Sequence, residues 1–275
     1  MKRLPKSLLL SCIAAITAAP TVVARQSAAK PTPLPIHPII SPDGELLGAT
    51  RNGKWILQDK AARLLTGGET YHAYSISSRL GTVRGGKPVS MDAPCPDQMT
   101  VSTQLPAGAV IGVGGAWNAL PRRQRSENTT QPIYKAAVRN VLIANGIHSP
   151  VIHIDQIIRC DLDGDKTDEV LISAHRYTDN DRGFQPMPAG GYSLILMRKL
   201  VRGKIKTSIV TAEFYPKPKP ESAPLTYHID GLYDLMGNGK MQIVIGWRYY
   251  EGSGMDVYTL SGAEAHQVLS SGCGA

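Results

Sequence analysis

Apolar positions in the second half of the chain recur at period two, the spacing that turns one side of an extended strand toward a core. Ile152, Ile154, Ile158 and Cys160 share such a face, with Gln156 as the exception, and a β-rich run from Val170 to Ala174 follows. A second segment, opening at His228-Ile229-Asp230 and ending in Ile243-Val244-Ile245, aligns with His153 to Ile172. After each segment comes the pattern of a hairpin. The first has strands at 192–200 and 205–215 about a turn at Arg202-Gly203-Lys204, and the second has strands at 255–260 and 266–269 about Ser261-Gly262. The repeated order predicts two four-stranded units. Upstream, segments 54–57, 70–76, 100–105 and 109–113 read as strands, and 59–65 reads as a short amphipathic helix ended by Gly67-Gly68. A polar break at 121–131 precedes a helix at 132–145. Ile133, Ala136, Ala137, Val141 and Ala144 fall at helical spacing there, Gly146 stops it, and its apolar side should cover one face of the repeat sheets. The expected fold is mainly β: two four-stranded repeats in an open sheet or sandwich, a small N-terminal β-rich unit, and one or two helices.

Between the two strands of the first repeat lies Asp161-Leu162-Asp163-Gly164-Asp165-Lys166-Thr167-Asp168-Glu169. Acids at positions one, three, five and nine of a tight turn suit a hard cation such as Ca²⁺, which takes six to eight oxygen ligands. An EF-hand is excluded, because position six is Lys166 rather than Gly, position twelve is Ile172 rather than Glu, and the flanks are strands. The strand–loop–strand context resembles the calcium half of the FG-GAP/VCBS-like repeat, the blade motif of integrin-α-type propellers. That resemblance implies a metal held by the side chains of Asp161, Asp163, Asp165 and Glu169 and by the carbonyl of Thr167, with Asp168 supporting a ligand or facing solvent. No Phe-Gly or Gly-Ala-Pro signature precedes the loop, and Lys166 stands where the family has Gly. The alternative is a solvated acidic turn without metal. In the downstream copy the ligand positions read Asp234, Met236, Asn238 and Gln242, leaving one carboxylate, so it is expected to persist as architecture without metal. Two blades are too few for a ring of four to eight, hence the open arrangement.

Charge and cysteines bear on location. Lys2, Arg3 and Lys6 precede a short apolar run, and Val22-Val23-Ala24 supplies small residues before a cut, so 1–24 reads as a secretory signal. Leu9-Leu10-Ser11-Cys12 is a weaker match to a lipoprotein box. Residues 25–40 read as a Pro-rich tether, 41–121 as the N-terminal β-rich unit, and 132–275 as the helix with both repeats. The formal charge of +8 includes those three signal cations and leaves a mildly basic surface, suited to anionic envelope polymers. Lys and Arg are scattered without interleaved aromatics, which argues against nucleic acid. Arg122-Arg123-Gln124-Arg125 is the densest basic cluster and reads as a solvated loop. Of the cysteines beyond the signal, Cys95 and Cys273 lie in loop-like Pro and Gly contexts and are expected to pair, leaving Cys160 reduced in the core.

Catalytic motifs are missing: there is no Gly-x-Ser-x-Gly, no His-Glu-x-x-His and no phosphate-loop pattern. His153 with Asp155, and His228 with Asp230, read as hydrogen-bonded pairs on half-exposed strands before they read as metal or base sites. Two functions follow. One is a secreted or periplasmic, non-catalytic calcium-binding β-scaffold for a cell-envelope or extracellular partner. The other is a secreted hydrolase with its site on the 176–190 loop, near His175, Tyr177, Asp179 and Asp181. A His beside a carboxylate in a cleft would favour the enzyme, and a flat aromatic face with Trp247, Tyr249 and Tyr250 would favour the binder.

Overall fold

The computed structural model describes residues 35–177 and 187–274. The N-terminal unit consists of β1 (His37–Ile40), β2 (Leu46–Arg51), β3 (Lys54–Leu57), α1 (Gln58–Leu64), β4 (Thr70–Tyr74), β5 (Arg79–Arg84), β6 (Pro88–Ser90), β7 (Met99–Val101) and β8 (Ile111–Val113). Six of these strands form one sheet in the order β3-β2-β1-β8-β4-β5, while β6 and β7 pair separately. The expected tether ends earlier than residue 40. β1 is a central strand, bonded to β2 and β8, and Ile39 and Ile40 are fully buried. Its prolines disguised it. Pro38 sits near the start of the strand, before the pairing with β8 begins at Ile39↔Val113, so its missing N–H interrupts no ladder bond there.

β9 (Arg125–Ser126) and α2 (Pro132–Ala144) lead into the first repeat: β10 (Ile154–Cys160), β11 (Glu169–Arg176), β12 (Gly191–Val201) and β13 (Lys204–Tyr215). The second repeat is β14 (Thr226–Tyr233), β15 (Gln242–Tyr249), β16 (Gly252–Ser261) and β17 (Glu264–Gly274). Both are antiparallel meanders of four strands, and β9 adds a fifth to the edge of the first. Arg202 and Gly203 turn the first hairpin at φ of 51° and 75°, the mirror-image turn that matches strand twist. α2 begins with Pro at its first turn, as expected, but buries Tyr134, Val138 and Leu142, and Ile133 is exposed. The helix is rotated from its expected face because the i, i+4, i+8 row with the larger side chains fills the sheet surface.

Alternating side chains build a layered stack. Tyr134, Val138 and Leu142 of α2 pack on Ile157, Ile172, Leu194 and Leu196 of the first repeat. The other face of that sheet, with Ile158, Leu171, Ile195 and Met197, meets Ile229, Ile243 and Ile245 of the second repeat. Val244, Val257 and Leu269 on the far side of the second repeat meet Ile39, Leu47, Ile111 and Val113. Ile40, Leu46 and Tyr71 on the outer face of the N-terminal sheet pack against Ala61 of α1. This is face-to-face sheet packing, none closed into a barrel.

Gln156, the polar interruption in the first apolar face, has a structural reason. Its amide accepts the Ile229 N–H at 2.8 Å and donates to the Ile229 carbonyl at 3.1 Å. Ser193 Oγ accepts the Tyr227 N–H, and Ser173 Oγ donates to the Tyr227 carbonyl. Three side chains of the first sheet thus take the place of a neighbouring strand along β14, an edge otherwise open to pairing. At the C-terminus, Cys95 and Cys273 stand at disulfide distance, with Cα atoms 5.7 Å apart, and Cys160 is buried and free.

Candidate functional sites

The two repeat turns are the same object. In the first, Asp161 Oδ1 accepts the N–H of Gly164 (2.7 Å) and of Asp165 (3.1 Å), and Oδ2 accepts that of Lys166 (3.0 Å). In the second, Asp234 Oδ1 accepts Gly237 (2.7 Å) and Asn238 (3.2 Å), and Oδ2 accepts Gly239 (2.7 Å). Asp165 accepts the Thr167 N–H as Asn238 accepts that of Lys240. Glu169 accepts the Leu162 N–H at 2.7 Å, and Gln242 accepts that of Leu235 at 2.8 Å. Lys166 takes the left-handed conformation (φ 71°) that Gly239 takes in the second copy (φ 79°), at a cost of roughly 1–2 kcal/mol for a residue with a Cβ.

The turns lie side by side. Met241 N–H bonds the Leu162 carbonyl at 2.7 Å, and Cys160 Sγ lies 3.6 Å from Met241 Sδ. Arg122, expected to be solvated, is only about a quarter exposed. Its guanidinium donates to the carbonyls of Asp161, Leu162 (3.1 Å) and Gly239 (2.6 Å), so one side chain ties both turns. Trp117 caps the second turn similarly, with its indole N–H 2.6 Å from the Asp234 carbonyl. Asp168 pairs with Arg125 and, at 3.5 Å, with Arg159.

Of the four expected side-chain ligands, three come together. Oxygens of Asp161, Asp163 and Glu169 lie within 4.8 Å of one another and could hold a metal ion. Asp165 stands outside this group, with one carboxylate oxygen on the Thr167 N–H. The trio already faces a cation that the sequence reading missed. Lys199 of β12 is nearly buried and places Nζ 2.7 Å from Asp163 Oδ2 and 2.5 Å from Glu169 Oε1. Arg122 Nε lies 3.9 Å from Asp161 Oδ2. Burial pushes the Asp163 carboxyl up, but the bond and charge of Lys199 outweigh it and hold the group below its ordinary value. At Glu169 burial wins and keeps the group above its ordinary value despite Lys199. Burial would depress Lys199, yet the two carboxylates raise it. The three acids could hold a metal ion, and the Lys199 ammonium already bonds two of them.

Each His-Ile-Asp sits at a β-bulge, with Asp155 and Asp230 as the extra residues. His228 Nε2 lies 2.8 Å from Asp230 and His153 Nε2 lies 3.1 Å from Asp155, the hydrogen-bonded pairs expected. The first copy adds His175, with Nδ1 2.6 Å from the other Asp155 oxygen. Tyr177 packs near it, whereas Asp179 and Asp181 lie outside the described residues.

Across the second sheet, Trp247 faces Gly254 and Gly272, and Tyr249 faces Gly252 and Gly274. A Cβ on any of these glycines would collide with the ring in its row. The rings therefore lie across the backbones of β16 and β17, 6.4 Å apart and tilted only 25° from each other, with Tyr250 edge-on to Tyr249. Trp247 packs against the core between the repeats, and the nearby buried Asp256 carboxylate accepts a 2.7 Å bond from Ser270 and is held above its ordinary pKa by burial. Trp247, Tyr249 and Tyr250 are all half-buried. No helix among the described residues is long and apolar enough to cross a membrane. No family model, curated protein or solved structure matches the chain.

Proposed function

We propose that the chain is a non-catalytic secreted or periplasmic β-scaffold that binds a glycan of the cell envelope or extracellular space, with Ca²⁺ as the metal of its acidic turn. The observation that carries the reading is the pair of aromatic–Gly–Gly rows. Half-buried flat rings, fixed over their glycine rows, offer apolar surface with a polar handle at little entropic cost, the character of residues that dominate binding energy. A pyranose presents the complement, an apolar C–H face rimmed by hydroxyls. Beyond the signal, 27 Lys and Arg against 22 Asp and Glu leave a formal charge of +5, which favours anionic polymers. The calcium part rests on the hard oxygen donors of Asp161, Asp163 and Glu169.

The test is binding of the purified chain to a glycan array and to isolated peptidoglycan. Trp247→Ala and Tyr249→Ala are each expected to weaken it at least about tenfold, or 1.4 kcal/mol, while circular dichroism stays unchanged. Equal binding by both variants sinks the reading. A second reading, a hydrolase with its site on the 176–190 loop, draws on the His175–Asp155 bond. Turnover of a bound glycan that His175→Ala abolishes would favour it.

A further inference from the structure

We infer that Lys199 is the resident cation of the acidic turn, and that Ca²⁺ enters only by displacing its ammonium. The first half stands on the geometry alone, and the second rests on the calcium reading. Lys199 Nζ bonds two of the three convergent acids, and its side chain is 8% exposed, so it is built into the fold rather than laid over it. The second repeat supplies an internal comparison. One step beyond the Val170↔Arg198 pair, Glu169 faces Lys199, and one step beyond Ile243↔Tyr258, Gln242 faces Thr259. The second copy therefore replaces Asp163, Glu169 and Lys199 together, by Met236, Gln242 and Thr259. Meanwhile the backbone N–H bonds that Asp161, Asp165 and Glu169 accept are all kept, and only the 3.4 Å bond from Asp165 N–H to Asp163 goes with its acid. A buried acid and a partly exposed one come with a buried base, and the base goes when they go.

A divalent ion and an ammonium cannot share those oxygens. The lysine stem is flexible enough to swing the charge into water, and the intrinsic calcium affinity is multiplied by the small fraction of molecules in which it has done so. The expectation is weak binding in the wild type, at or beyond the 10⁻⁴–10⁻³ M typical of extracellular modules.

The experiment titrates CaCl₂ calorimetrically into the purified chain and follows melting in CaCl₂ and in EGTA, for the wild type, Lys199→Met, and the triple variant Asp163→Met/Glu169→Gln/Lys199→Thr. Lys199→Met should bind calcium at least about tenfold more tightly than wild type. It should melt several degrees lower in EGTA and recover in calcium. The triple variant should melt near the wild type in both and ignore calcium. If Lys199→Met binds calcium no more tightly than a wild type that does bind, displacement is overturned and the calcium reading stands. If neither binds, the calcium reading falls and displacement with it, while the melting data still decide the resident-cation half. If Lys199→Met melts like wild type in EGTA, that half is overturned as well.

Discussion

Replacing Arg122 by Met tests whether the 121–131 segment is a solvated loop or the clamp of the repeat turns. The side chain makes three hydrogen bonds to carbonyls, on Asp161, Leu162 and Gly239, and a 3.9 Å ion pair to Asp161. Bonds from a charged donor contribute about 1.5–3 kcal/mol each where water is excluded, and an exposed ion pair 0–1 kcal/mol. Arg122 is about a quarter exposed, so water can replace part of this, and the three bonds form as a unit rather than additively. We expect a loss of about 3 kcal/mol. For a domain of this size 1 kcal/mol moves Tm by about 2–4 °C, which gives a drop of roughly 6–12 °C. The assay is guanidinium unfolding with the m-value compared between variants, alongside a thermal melt. Arg123→Met is the control, since Arg123 is exposed, and it should stay within about 0.5 kcal/mol of wild type. Arg122→Lys keeps the charge but not the planar fork and should fall between. If Arg122→Met loses no more than Arg123→Met, the clamp does not exist.

Three further outcomes are expected. Cys95 and Cys273 close a sequence separation of 178 residues, which in the chain-entropy model stabilises by about 5 kcal/mol, so Cys95→Ser/Cys273→Ser should melt at least about ten degrees lower. Burial pushes the Cys160 thiol up to about 11, so the folded protein should resist alkylation at neutral pH, and peptide mapping that found Cys160 in the bridge would refute the pairing. Burial also raises the Glu45 carboxyl, which accepts a 2.6 Å bond from Ser271 of β17. The folded state then holds that proton more tightly than the unfolded chain. The site contributes stability below the usual Glu value and loses it as pH rises through the raised one. The stability of wild type relative to Glu45→Gln should therefore increase between pH 7.5 and 4.5 in urea unfolding, and a constant difference would refute the assignment.

The repeats were legible because a turn with fixed φ requirements and two period-two strands is a local pattern. Asp161 and Asp234, with Gly164, Gly237 and Gly239 at positive φ, mark both turns in the sequence itself. What escaped was held by partners far along the chain. Lys199 sits beside Arg198 near the end of a largely apolar strand, and its carboxylates lie 30 and 36 residues away. The alignment of the copies stopped at Ile172 and Ile245, before the strands that carry Lys199 and Thr259. Arg122 reaches 117 residues to Gly239, and nothing local separates a clamping arginine from a solvated one. β1 was hidden by prolines whose strand positions only the sheet reveals. The α2 face was misread because alanines at helical spacing outnumber the large residues, and large residues decide which side packs.

The congruence of the two turns also separates what folds the loop from what gives it charge. Asp234 alone, with Asn238 and Gln242, reproduces the bonds that Asp161, Asp165 and Glu169 make to backbone N–H groups. The side-chain bonds that shape the turn therefore need one carboxylate and two amide-like acceptors. Asp163, with Glu169 in place of a glutamine, is an addition to a backbone that stands without it. It places a buried charge where the second copy has none, and burying an unpaired carboxylate costs several kcal/mol. Lys199 offsets that cost in the metal-free chain. Whatever Asp163 and Glu169 do must be read against an ammonium already between them.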